Sequence, residues 1–311
     1  MRAGTPAWRA RGPGMLAGKS VSQASRVLVV LLLLGCRAGS DSARGPQEPA
    51  RAQRALVLPD AGSLPTGPND SGSAWQALAR GVTVYRETRA DSSGVQTRWL
   101  VARLDLEHVA LRALPVNEHR LESLAARPEV LLAVNGGFFE PNLEASGLLV
   151  SEQRLLHGWQ ERGGSGVLSV RAGRASVSSE PPRALSQLEL AMQCGPRLIE
   201  ADGTLGIARD DRKRAERTAV CMRRQGRELD LVLAYATDRA RDGPSLLQLA
   251  QWLAAPLTPL DETGCESALN LDGGPSTGLV APALMATDWR LPRGPVPWAL
   301  AVLARSDGQP R

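Results

Sequence analysis

Histidine is the scarcest chemical resource of this chain. The 311 residues hold only His108, His119 and His157, and no two of them stand four apart. Cysteine is almost as rare, with four residues and no Cys-x-x-Cys pair. The sequence therefore argues against a zinc site built from Cys and His. Lysine is nearly absent, since 35 of the 37 basic residues are arginine. These arginines are interspersed with acids and form no stripe. The formal charge of +5 comes from the first 35 residues, where Arg2, Arg9, Arg11, Lys19 and Arg26 meet no acid. Beyond them, 32 basic residues face 32 acidic ones, so a nucleic-acid partner has no electrostatic basis. No apolar run approaches the roughly 20 residues of a membrane span. Aromatics make up 4% of the chain, and its two phenylalanines are adjacent, Phe138 and Phe139.

What is present suffices for a core: 43% of residues are apolar and 22% charged, which excludes wholesale disorder. The length fits one large domain or two small ones. Val27–Leu34 is an apolar run of eight, preceded by Lys19 and Arg26 and followed by Gly35-Cys36. A basic region, a short apolar region and a small-residue exit are the marks of a secretory leader. Leu33-Leu34-Gly35-Cys36 also resembles a bacterial lipobox, in which Cys36 is lipidated; a plain cleaved leader is the alternative. The reading is a leader over 1–36 and a tether rich in Pro, Gly and Ser over 37–73. A single domain follows over 74–305. An exported protein held at the cell envelope through a lipid on Cys36 is the expectation.

Within 74–305 short β-like runs dominate: Val82–Thr88, Thr97–Asp105, Val109–Leu114, Val130–Val134, Leu148–Val150, Val167–Val170, Arg197–Ile199, Thr218–Arg223, Leu229–Tyr235, Ala268–Leu271 and Ala299–Leu303. Helical spacing appears over Glu118–Ala126 and over Ser245–Ala254, the second capped by Ser245 and stopped by Pro256. This pattern predicts an α+β fold: a mixed, largely antiparallel sheet or sheets with a few flanking helices. Apart from Cys36, the cysteines are Cys194, Cys221 and Cys265, which permit at most one internal disulfide. Cys265, in the apolar approach to a strand, reads as a buried free thiol.

Two segments carry most of the candidate chemistry. Leu131-Leu132-Ala133-Val134 is an apolar strand that ends in Asn135-Gly136-Gly137-Phe138-Phe139. Such an exit puts an amide side chain and bare backbone at a sheet rim, or it is a plain Asn-Gly turn. Ala268-Leu269-Asn270-Leu271 exits into Asp272-Gly273-Gly274-Pro275-Ser276-Thr277-Gly278. Asn270 and Asp272 share one strand face, beside glycine amides and two hydroxyls; this is an anion nest or an Asx turn. Gly274–Gly278 fits G-x-S-x-G, but Leu279-Val280-Ala281-Pro282 follows in place of a helix and no later histidine exists. A serine-hydrolase elbow is rejected. Arg217, ahead of Thr218-Ala219-Val220, is either a surface cation or a bidentate phosphate clamp.

In order and spacing these segments resemble the phosphodiester glycosidase family over about 170 residues. Val134–Phe139 matches its V-N-G-G-F-F strand end, and Gly195-Pro196-Arg197-Leu198 its G-P-x-L strand. Arg217-Thr218-Ala219-Val220 matches R-T-A-I-G, Gly243–Leu253 a following helix pattern, and Ala268–Gly274 with Ser276 the A-x-N-L-D-G-G-G-S motif. Two positions depart: Cys221 replaces a glycine, and Pro275 replaces the third glycine of the last motif, removing one amide donor.

The resemblance implies hydrolysis of a sugar-1-phosphodiester at the anomeric carbon. The departing phosphate is already a stable anion, so the site needs a phosphate clamp, a carboxylate and groups that hold the sugar. Arg217 is the expected clamp and Asp272 the expected carboxylate, with Asn135 the third catalytic candidate and Glu140 a second possible carboxylate. Gly136, Gly137, Thr218, Asn270, Gly273, Gly274, Ser276 and Thr277 are the expected substrate-binding positions. No cofactor and no metal ion is called for, although an Asp, Asn and carbonyl cluster could hold Ca²⁺. The rival reading is a non-catalytic envelope lipoprotein that binds glycan.

Overall fold

The computed structural model describes residues 75–91, 94–236, 243–256, 261 and 263–305. The leader, Cys36 and the tether over 37–73 lie outside the described residues. The strands are β1 (Gln76–Ala79), β2 (Val82–Ala90), β3 (Gln96–Asp105), β4 (Val109–Pro115), β5 (Val130–Asn135), β6 (Leu149–Ser151), β7 (Arg154–His157) and β8 (Gly166–Arg171). They continue with β9 (Arg174–Ser178), β10 (Leu190–Cys194), β11 (Arg197–Ile199), β12 (Arg217–Arg223), β13 (Glu228–Ala236), β14 (Ser267–Asn270), β15 (Leu279–Val280) and β16 (Trp298–Ala304). One α-helix, α1 (Leu246–Ala254), is present among the described residues.

The strands form three sheets. Their orders are β1-β2-β3-β13-β12-β14-β11, β7-β6-β10-β8-β9 and β15-β5-β16-β4. Every pairing between these strands is antiparallel, so the expected mixed sheet is antiparallel throughout the described residues and helices are sparser than expected. Alternation explains the layering. Leu229, Leu231 and Leu233 of β13 and Val220 and Met222 of β12 point into a core shared with Leu111 of β4, Leu132 of β5, Leu168 of β8, Leu190 of β10 and Leu300 of β16. The intervening Ala219, Cys221, Val232 and Ala234 face the opposite side, where Leu249, Ala250, Trp252 and Leu253 of α1 cover them. Trp252 stacks on Trp99 with ring centroids 4.0 Å apart. Ser245 caps α1 through a reciprocal capping box with Gln248, worth about 1 kcal/mol.

Three expectations are corrected here. Glu118–Ala126 is not an α-helix. It forms two 3-10 turns, Asn117–His119 and Leu121–Ala126. Glu118 and His119 take φ of 51° and 56° and Arg120 is extended, so no continuous i to i−4 ladder can form. Cys265 is not a free thiol but is disulfide-bonded to Cys221, Cα to Cα 5.4 Å. Both cysteines lie on the α1 side of the sheet, where Cys265 N donates to the Leu253 carbonyl at 2.8 Å, and their separation is within bridging range. Among the described residues the buried free cysteine is Cys194. Finally, β1, β7, β9, β10 and β15 are strands that the sequence pattern did not mark.

Candidate active site

Three strand ends from two sheets converge on one buried side chain. Asn135 closes β5 and is 1% exposed. Its Nδ2 donates to the backbone carbonyl of Asp272 at 2.7 Å and to that of Gly136 at 3.3 Å. Its Oδ1 accepts from the Thr218 hydroxyl at 2.7 Å and from the Gly278 N–H at 3.2 Å. An amide side chain offers two donors and two acceptor lone pairs, and here all four are used inside the protein. Asn135 therefore has no hydrogen-bonding capacity left for a ligand; it braces Asp272. The brace is doubled by the backbone. Asp272 N donates to Gly136 O at 3.2 Å, and Leu271 N to Thr218 O at 2.8 Å.

Glycine at 136 has a steric cause, because a Cβ there would sit 2.7 Å from the Trp298 carbonyl of β16. Its N–H donates to that same carbonyl at 2.9 Å. Gly137 is tight against β10, with Gln193 O 3.1 Å from where a Cβ would be. Both glycines let the β5 exit lie close against neighbouring strands. The Gly136 amide is therefore committed within the fold.

Asp272 is partly buried just past β14. Burial pushes its carboxyl above the ordinary carboxylate range, while the Ser276 hydroxyl and the Gly273 N–H, 2.9 Å from Oδ1, pull it back. Among the described residues no cation hydrogen-bonds this carboxylate. Asp272 is thus a half-desolvated acid whose protonation is set by its surroundings, the property expected of a general acid or base. The turn after it corrects the anion-nest reading. Gly273 N is taken by Asp272 itself, and Gly274 N by the Glu216 carbonyl at 2.7 Å. Gly274 adopts φ 58°, a left-handed conformation that favours glycine. Gly274–Ser276 is a 3-10 turn leading to strand β15, and no nucleophile elbow is formed.

Two side chains near Asp272 in sequence carry buried atoms without partners among the described residues. Asn270 spends Nδ2 on the carbonyls of Gly195 (2.9 Å) and Leu271 (2.6 Å), but its Oδ1 accepts nothing. The Thr277 hydroxyl is likewise buried and unbonded. Such atoms are costly to leave unsatisfied, so they are the polar groups of this region that still have capacity for a ligand.

Arg217 stands at the start of β12 with the same side-chain parity as Ala219 and Cys221, toward α1. Its guanidinium donates to Lys213 O at 2.7 Å and Pro244 O at 3.3 Å. Burial lowers its pKa, opposed only by the charge of Asp211. Thr218, one residue on, points the opposite way into the Asn135 brace. The structure therefore unites Asn135, Gly136, Thr218, Asp272, Gly273 and Ser276 directly. It places the Arg217 guanidinium on the Lys213–Pro244 rim, with only its stem passing close to Gly273. Glu140 is exposed, in a turn where its N–H donates to Glu144 O at 2.8 Å, and it makes no contact with the brace.

Sequence reading missed Glu216, Cys194 and Gln193. Burial pushes the Cys194 thiol up to about 12, with the Asp272 charge adding to the effect. Gln193 ties its loop neighbours together, accepting from Leu148 N at 2.9 Å and donating to Gln160 O at 2.6 Å. Glu216 is 1% exposed, between Arg290 and Arg293. An acid directly ahead of the Arg217-Thr218 pair was its only sequence signal.

The strand ends of this antiparallel β-fold thus lock a half-desolvated carboxylate in place. Residues 128–303 match the phosphodiester glycosidase family, and the chain belongs to that family. No functionally curated protein matches it. Among solved structures it is similar in fold to the zebrafish N-acetylglucosamine-1-phosphodiester alpha-N-acetylglucosaminidase catalytic domain, auto-inhibited by pro-peptide. That similarity has a TM-score of 0.54 at 18% identity, covering 76% of this chain and 86% of that one. A hypothetical protein from Synechocystis gives 0.49 at 18% identity, covering 73% and 62%.

Proposed function

We propose that this protein hydrolyses a sugar-1-phosphodiester at the anomeric carbon, with Asp272 as the catalytic carboxylate. The observation that carries the reading is the state of Asp272: half-desolvated, with no hydrogen-bonded cation among the described residues, and fixed by Asn135. A carboxylate whose pKa is raised is a stronger base toward water, and when ionised it stabilises an oxocarbenium-like centre. The leaving phosphate needs charge more than a proton. Arg217 supplies that charge in our reading: among the described residues its guanidinium hydrogen-bonds only carbonyl oxygens, and its stem passes beside Gly273, next to Asp272, so that a side-chain swing would bring the charge to the turn. Asn270 Oδ1 and the Thr277 hydroxyl are the groups we assign to sugar hydroxyls.

We place the protein outside the cytoplasm, in the cell envelope, with Cys36 lipidated and residues 37–73 as the tether to a domain over 74–305. The Cys221–Cys265 disulfide supports an oxidising compartment. The direct test incubates the purified protein with UDP-N-acetylglucosamine and a nitrophenyl phosphodiester analogue, and follows release of reducing sugar. Sugar release supports the reading. Saturable binding of the same compounds without release would establish the glycan-binding alternative instead.

A further inference from the structure

Glu216 is the most deeply buried carboxylate near the Asp272 turn, and the chemistry above does not use it. It stands one residue before β12, at 1% exposure. Its carboxylate accepts from Arg290, and from Arg293 Nη2 at 3.1 Å. Its backbone carbonyl accepts the Gly274 N–H at 2.7 Å and lies 2.8 Å from where a Gly273 Cβ would be. On the other side of the turn, the Pro275 carbonyl accepts from Arg293 N at 2.7 Å and Gly294 N at 3.0 Å. These contacts close a ring: Glu216 to Gly274 through main chain, Gly274 to Pro275 by covalent bond, Pro275 to Arg293 through main chain, and Arg293 back to the Glu216 carboxylate. Arg290 anchors the ring further. It pairs with Leu279 in both backbone directions, at 2.7 and 3.0 Å, and lays its guanidinium over the Tyr235 ring 5.3 Å from the centroid.

We propose that Glu216 is a positioning residue, whose ion pairs with Arg290 and Arg293 hold the Gly273–Ser276 turn so that the Ser276 hydroxyl stays on the Asp272 carboxylate. A carboxylate in nearly dry surroundings with two guanidinium partners resists displacement, because separating either pair leaves a buried charge uncompensated. The same ring fixes the backbone on both sides of Pro275. Ser276 therefore has little freedom to leave Asp272. Sequence offered little sign of this, because Glu216 lies 74 and 77 positions before Arg290 and Arg293 and only the fold brings them together.

The inference rests on the reading of Asp272 as the functional carboxylate, and its test is independent of turnover. Protein labelled with ¹³C at aspartate carboxyls is titrated by NMR, the Asp272 signal being identified by its loss in Asp272→Asn. The groups that face this carboxyl are the Ser276 hydroxyl, the Gly273 N–H and the buried Cys194 thiol. Glu216, Arg217, Arg290 and Arg293 surround the turn. Glu216→Asp keeps the charge, so no direct electrostatic change reaches Asp272, but its shorter side chain loosens the pairing with Arg290 and Arg293, frees Ser276 and takes away a hydrogen bond that favours the ionised form. The Asp272 midpoint should move upward relative to wild type. Arg293→Lys, which keeps the charge but loses the guanidinium fork at the more exposed partner, should move it in the same direction by less, and serves as the readout if Glu216→Asp does not fold. Where sugar release is measurable, kcat should fall between about 10-fold and 10²-fold with KM nearly unchanged. A lower melting temperature with an unmoved Asp272 midpoint would show that Glu216 is structural only, and would overturn the proposal. Absence of sugar release in the wild type would instead count against the hydrolase reading and leave the titration to decide the role of Glu216.

Discussion

Asn135 and Asp272, 137 residues apart in the chain, are joined by a 2.7 Å hydrogen bond from the Asn135 side chain to the Asp272 main-chain carbonyl. The bond links the four-stranded sheet to the seven-stranded one at the point where β5 and β14 end. Asn135→Ala would leave the Asp272 carbonyl, the Thr218 hydroxyl and the Gly278 N–H without their present partner in a buried setting. Urea unfolding should show a loss of roughly 3 kcal/mol, against about 1 kcal/mol for Thr218→Val, which removes a single contact. Equal losses in the two variants would contradict the four-way brace.

Asp272 should cost the protein stability at neutral pH. Its folded-state pKa is raised by burial, so the folded protein binds this proton more tightly than the unfolded chain does. Its contribution is fully favourable below the ordinary carboxylate pKa and is lost as pH rises through the raised folded value. Asp272→Asn carries no charge to desolvate. The variant should therefore melt above wild type at pH 7, with the gap closing as pH falls below the carboxylate range. Thermal melts across that range check the sign, and a variant melting below wild type at pH 7 would refute it.

The structure also shows which features of the chain could be read from residue order. Long runs with strong alternation, such as Thr97–Asp105 and Leu229–Tyr235, form strands within a residue or two of their expected ends, because one face must reach a core. β9 was missed because Arg174–Ser178 has a single fully buried residue and a polar surface. β10 was missed for the opposite reason: Leu190–Cys194 is buried throughout, and Ala, Met and Gln give it neither alternation nor β-branching. The two glycine-rich strand exits meet at the Asn135–Asp272 hydrogen bond. Their amides were assigned to a ligand, whereas the structure commits those of Gly136, Gly273 and Gly274 to carbonyl and carboxylate partners within the fold. Sequence could not show that the donors were already taken, because the acceptors come from distant strands.

The Cys221–Cys265 bridge ties β12 to the chain entering β14, the strand that leads to Asp272. It closes a loop with a sequence separation of 44, for which a disulfide contributes roughly 2–4 kcal/mol. The Cys221→Ala/Cys265→Ala pair should lose about that much in denaturant unfolding, and added reductant should shift wild type toward the double variant but leave the variant unchanged. Wild type and double variant unfolding together in the absence of reductant would show that the bridge contributes nothing.

The proposed envelope location makes a separate prediction. Intact-mass analysis of protein isolated from membranes should find Cys36 as the mature N-terminus with an attached diacylglycerol. A mature N-terminus elsewhere, with an unmodified Cys36, would remove the lipoprotein claim without affecting the account of the site.

The most direct measurement compares sugar release by wild type and Asp272→Asn on one sugar-1-phosphodiester, with binding followed in parallel by calorimetry. Asn keeps one acceptor oxygen for the Gly273 N–H but cannot ionise. The rate should fall by about 10² to 10⁴, while substrate affinity stays within a few-fold. Near-full activity in Asp272→Asn would contradict the assignment of Asp272 as the catalytic carboxylate.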